Sequence, residues 1–127
     1  MKSIKVLQLG FENVELFVDK GTSGGRFRVS PLLTSKSKLP NIVIGIDAGI
    51  SVVITTLAHE AFEFSATRMQ CRYDPSLDVS LDNGSVFFAF NHSQFSQIIA
   101  GAAEFIYKAT PLIIREWEKL HKKKVKK

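Results

Sequence analysis

The segment TLAHEAFEFSATRM, Thr56 to Met69, sets one histidine and two glutamates in a stretch that otherwise reads as the apolar interior of a helix. His59 and Glu63 are four residues apart, so they stack on one helical face, close enough to ligate a single ion. In the H-E-x-x-H pattern of zinc proteases, two histidines at this spacing bind the metal and the intervening glutamate activates water. Here the spacing holds and the last position is Glu63, itself a legitimate zinc ligand. A third ligand is expected from His92. It follows the strand Val86 to Phe90 with the parity of Phe88 and Phe90, and it falls in the first turn of the next helix. His59, Glu63 and His92 would supply two nitrogens and one carboxylate with an open coordination position, a set that suits Zn²⁺ first and non-haem Fe²⁺ second. Glu60, about 100° round the helix from His59, is the candidate base that would deprotonate a metal-bound water. A plainer reading stands beside this one. His-Glu pairs on helices are common, Glu60 and Glu63 could pair with Arg68, Arg72 or the tail lysines, and His92 could be no more than a first-turn residue.

These side chains need elements to position them. NIVIGID, from Asn41, is too apolar for a half-exposed strand and is expected at the centre of its sheet. Asp47 is then placed to cap a helix running to about Met69. Ile50, Ile54, Leu57, Ala61 and Phe64 form its apolar stripe, while Val52, Thr55, Thr56, His59, Glu63 and Ala66 form an opposite side with few charges. Such a helix is expected to be covered on both sides, as the hub of the fold. RYDPSLDVSLDNGSVFFAF reads as a hairpin turning at DNGS. Its Asp74, Asp78 and Asp82 do not follow a calcium-loop spacing. Asn91 can cap the second long helix with Gln94 as reciprocal partner. Phe95, Ile98, Ile99, Ala102, Phe105 and Ile106 make the buried stripe of that helix, with Glu104 and Lys108 outward and Gly101 permitting close approach. Thr110-Pro111 should restart or kink the helix, leaving Ile113, Trp117 and Leu120 on a short C-terminal segment.

Towards the N-terminus, Ser3 to Leu9 alternates as a strand, as do Val14, Leu16 and Val18. The turn GTSGG should return the chain as RFRVS, setting Glu15 and Asp19 across a hairpin from Arg26 and Arg28. Pro31 to Asn41 reads as a polar loop. The fold class expected is α+β: residues 1–120 as a single domain with an antiparallel or mixed sheet of about five to six strands, two long helices and a short third, then a basic, disordered tail over 121–127.

Composition narrows the function classes. With 127 residues, 45% of them apolar and ten of them phenylalanine, the chain can bury one core. Its single cysteine, Cys71, excludes an intrachain disulfide and reads as a small buried side chain; a cytoplasmic, reducing home is expected. Two apolar runs, Ile42 to Ala58 and Phe95 to Ile114, are interrupted by charge, glycine or proline, so a membrane partner is not expected. Lys122, Lys123, Lys124, Lys126 and Lys127 supply the whole net charge of +5, leaving the body balanced. A frayed lysine end only weakly suggests nucleic acid, and no stripe of arginine with aromatics accompanies it. His121 belongs to this tail.

LAHEAFEF, the aspartate-rich hairpin, FNHSQFSQIIAGAAEFI and PLIIREW together resemble small uncharacterised proteins encoded by tailed phages and prophages. Those proteins carry H-E-x-x-E, then an H-x-Q-F segment, then a helix ending near an aromatic. The resemblance covers about residues 42–117, and residues 1–41 have no counterpart in it. It implies that His59, Glu60, Glu63 and His92 act together, and it brings no activity with it. Two function classes follow. One is a phage-type accessory protein that binds a host or phage protein, such as an inhibitor of a host or defence component, with a structural metal. The other is a small zinc-dependent hydrolase of zincin-like type built on His59-Glu60-x-x-Glu63. The missing second histidine and the absence of an evident oxyanion donor favour the first.

Overall fold

The computed structural model describes residues 1–29, 38–73 and 87–125, without the side chains of residues 72, 73, 87 and 123–125. Strands β1 (Lys2–Leu9), β2 (Glu12–Asp19), β3 (Gly25–Arg28) and β4 (Asn41–Gly45) precede helix α1 (Ile50–Arg68); short strands β5 (Arg72–Tyr73) and β6 (Phe87–Phe88) precede helix α2 (His92–Val125). The architecture is α+β with both helices on one face of a mixed sheet. Among the described residues that sheet has four strands, fewer than expected, and β5–β6 form a separate two-stranded ladder. The expected turn at DNGS, with Asp74, Asp78 and Asp82, lies outside the described residues.

Alternation puts Val14, Leu16 and Val18 of β2 against Ile42 and Ile44 of β4 under the helices, all with no exposed surface. β1 and β2 meet at a two-residue turn, Gly10-Phe11, where Gly10 adopts φ +66° and Phe11 does not, as a type II′ hairpin turn requires.

The expected hairpin between β2 and β3 does not form. The strand order is β1-β2-β4-β3, so β4 is inserted between β2 and β3, parallel to the first and antiparallel to the second. β4 does occupy the interior of the sheet, as its composition demands, and it gains two neighbours by displacing the local partner. The segment from Lys20 to Gly24 crosses the end of β4, where the Gly45 N–H donates to the Gly24 carbonyl at 2.6 Å and the Asp47 N–H to the Thr22 carbonyl at 3.0 Å. A Cβ on Gly45 would lie 2.5 Å from the Thr22 carbonyl oxygen, so only glycine permits this crossing. Arg26 therefore sits opposite Val43, and Arg28 opposite Asn41. α1 rests on β3 and β4 and α2 on β1 and β2, so the strands of residues 1–41 support both helices and are no separable module.

α1 begins without the expected cap. Its N-cap is Gly49 and no side chain caps it; Asp47 lies two residues too early. Val53, Leu57, Ala61 and Phe64 are buried on the sheet, where Phe64 meets Phe27 of β3 edge-on at 5.9 Å. α2 runs antiparallel to α1: Ser65 Oγ donates to the Ile98 carbonyl at one end, and Trp117 Nε1 donates to the Ala48 carbonyl at the other. Its start is the expected reciprocal cap, with the Asn91 and Gln94 N–H groups each donating to the other's side-chain oxygen at 2.9 Å. A Cβ on Gly101 would stand 3.4 Å from Gly10 and from Ser65 Oγ, so the small-residue face admits the β1–β2 turn as well as α1.

Pro111 does not divide α2, which runs unbroken for 34 residues. Proline removes the bond to the carbonyl four residues back, that of Tyr107, and both residues lie on the solvent side, where water can satisfy the oxygen. The expected short C-terminal helix is thus the end of α2. The helix also passes through His121, whose Nε2 lies 3.0 Å from the Ile46 carbonyl and whose ring stacks on Trp117 at 4.3 Å, so His121 is no part of a free tail. Cys71 is fully buried. Among the described residues, no helix is long and apolar enough to cross a membrane.

Candidate functional site

Residues 59, 60 and 63 fall together on one flank of α1 because two are consecutive and the third is one turn on. His59 Nε2 lies 3.1 Å from Glu63 Oε2 and 3.8 Å from Glu60 Oε2. One ligand-capable atom from each of the three lies within 4.8 Å of the others. The imidazole is 64% exposed, whereas the Glu60 and Glu63 side chains are 9% and 17% exposed. Glu60 is placed by the sheet edge: a Cβ on Gly25 of β3 would stand 2.8 Å from Glu60 Cγ and 2.7 Å from Thr56 Cγ2.

His92 stands exposed in the first turn of α2 and is not a member of this group. Of the ligands expected from the sequence, His59 and Glu63 come together, and the third donor beside them is Glu60, the residue expected to act as a base. Strand parity carried no information about how far the first turn of α2 lies from α1. Helical phase, by contrast, was enough to join 59, 60 and 63.

Among the described residues, the flank expected to be covered forms a groove, although Ala66 at its end is buried. Thr55, Ala58, His59, Phe62 and Glu63 of α1 face Ile99, Ala102, Ala103 and Ile106 of α2 across a groove of about 520 Å³, which Phe88 also lines. Four aromatic rings adjoin it: Phe62 meets Phe88 and Phe90 edge-on at 6.1 and 6.5 Å, and Phe90 stacks on Phe95 at 5.5 Å. Phe95 and Ile99, expected in the buried stripe of α2, are each 41% exposed. The sequence held a signal for this groove, the scarcity of charge on the 52-55-59-63 side of α1. That pattern does not distinguish a covered flank from an open apolar one.

Compared with protein-family models, with curated proteins and with solved structures, the chain matches none of them.

Proposed function

We propose that the protein acts by binding another protein, with the groove between α1 and α2 receiving an amphipathic helix of that partner. The observation that carries this reading is the shape and chemistry of the groove. Its floor is made of small side chains, Ala58, Ala102 and Ala103, and its walls of Phe62, Phe88, Ile99 and Ile106. A small floor lets a third helix approach at the usual interaxial distance of about 8–10 Å, and the walls offer anchor contacts at i, i+3 and i+4 spacing. Glu63 at the lip favours an occupant with a lysine or arginine beside its apolar stripe. In the tailed-phage setting that the resemblance implies, the partner is a host or phage protein, and occupation of the groove would block that component's own contacts.

A selection from a library of helical peptides tests this. Binders are expected to carry an apolar stripe with a flanking basic residue and to lose at least about tenfold in affinity on Ala103→Glu, which places charge on the exposed floor. Selected peptides that bind Ala103→Glu as well as the parent protein would overturn the proposal.

The second reading, a small zinc-dependent hydrolase of zincin-like type, draws on the convergence of His59, Glu60 and Glu63 beside the groove. The packing of the Glu60 stem against Gly25 weighs against it, because a base must reach a water held next to a groove-bound substrate. Peptide or ester hydrolysis that disappears on Glu60→Gln, with the metal content unchanged, would revive it.

A further inference from the structure

We propose that His59, Glu60 and Glu63 hold one divalent cation of the zinc type on the flank of α1, at the lip of the groove. Glu60 serves there as a ligand and His92 takes no part. The distances carry the argument. Ligand atoms about 2.0–2.2 Å from a tetrahedral ion stand about 3.3–3.6 Å from one another. The His59–Glu63 and His59–Glu60 separations, 3.1 and 3.8 Å, bracket that spacing, and all three donor atoms lie within 4.8 Å of one another, so inward rotation of the two carboxylates would complete a triangular face. One imidazole with two carboxylates is a donor set for Zn²⁺ or a neighbouring first-row ion. Calcium and magnesium favour oxygen ligands and more of them.

A second, independent feature comes from β3. Gly25 leaves room for the Glu60 stem that any side chain would fill, as the 2.8 Å approach of a Cβ to Glu60 Cγ shows. The sheet edge thereby holds one donor in place, and preorganisation of a ligand by its surroundings is what a metal site requires. The exposed imidazole is the outermost donor, which leaves the fourth position accessible from solvent at the groove.

The site shares His59 and Glu63 with the groove lining, so a bound ion would stand in for the basic residue of the proposed occupant, and the two are tested separately. Protein stripped with a chelator and titrated with Zn²⁺ by calorimetry is expected to take up one ion per chain, and Co²⁺ in its place should give visible absorption of a four- or five-coordinate complex. His59→Ala and Glu63→Gln, both at accessible positions, should each weaken binding at least about tenfold while melting cooperatively. Gly25→Ala should weaken it as well by moving Glu60, and His92→Ala should leave it unchanged. Absence of stoichiometric uptake, uptake untouched by His59→Ala, or uptake lost on His92→Ala would each overturn the proposal. Ala103→Glu separates the two readings, since it is expected to abolish peptide binding and to spare the ion.

Discussion

Each helix of the pair has an inner and an outer side, and the two differ in kind. Inside, Val53, Leu57, Ala61 and Phe64 of α1 and Phe105, Ala109 and Ile113 of α2 are closed against the sheet and against each other. Outside, Thr55, His59, Glu63, Phe95 and Ile99 meet water or each other across the groove. Both sides are poor in charge, so composition alone makes them look alike. The inner side is closed against the sheet, whereas the outer side leaves apolar side chains exposed, which is the condition that the proposed docking of a partner requires.

The comparison breaks if truncations on the two sides cost the same. The largest effect is expected on the inner side: Phe64→Ala and Phe105→Ala should each lower unfolding free energy by about 3–5 kcal/mol, as read from urea melts. Asn91→Ala removes one half of the reciprocal cap and should cost about 1 kcal/mol, since the helix keeps its packed face. Ile99→Ser on the outer side should cost less than that, because the side chain is already 41% exposed, and it should lower binding of a hydrophobic dye.

A pH experiment sharpens the contrast further. Glu116 is a buried inner-side carboxylate; burial alone would raise its pKa, but hydrogen bonds from Lys2 at 3.0 Å and Lys119 at 3.3 Å outweigh that and hold it below the ordinary 4.5. A depressed folded-state pKa contributes stability that is present above the unfolded value and is lost as pH falls through the folded one. Glu116→Gln should therefore be less stable than the parent at pH 7, and the gap should narrow as pH falls below about 4. A constant gap across that range would show that the pairing contributes nothing.

Local features of the fold were legible because local chemistry decides them. The alternation of Val14, Leu16 and Val18, the interior character of Asn41 to Gly45, and the Asn91–Gln94 cap each depend on a few adjacent residues. Partner choice was not legible. Glu15 pairs with Asn41 rather than with a residue after the GTSGG turn, since an all-apolar strand gains more from two buried neighbours than a local hairpin gains from proximity. The continuity of α2 through Pro111 depends on which side of the helix the missing N–H leaves bare, and that requires the packed structure. At the site, helical phase joined His59 to Glu63, while the exclusion of His92 and the recruitment of Glu60 depend on how β3 and α2 sit around α1.

The insertion of β4 between β2 and β3 also constrains how the chain can be made. A nascent polypeptide that has emerged only as far as Arg28 holds both flanking strands but not the one that belongs between them. Until Asn41 to Gly45 leaves the ribosome, β2 and β3 are free to zip into the wrong neighbourhood and must part again, a non-local search that slows folding. Synthesis paused within that window should yield a protease-sensitive chain, and resistance should return abruptly only once α2, which carries Phe105, Ala109 and Ile113 of the core, has also emerged.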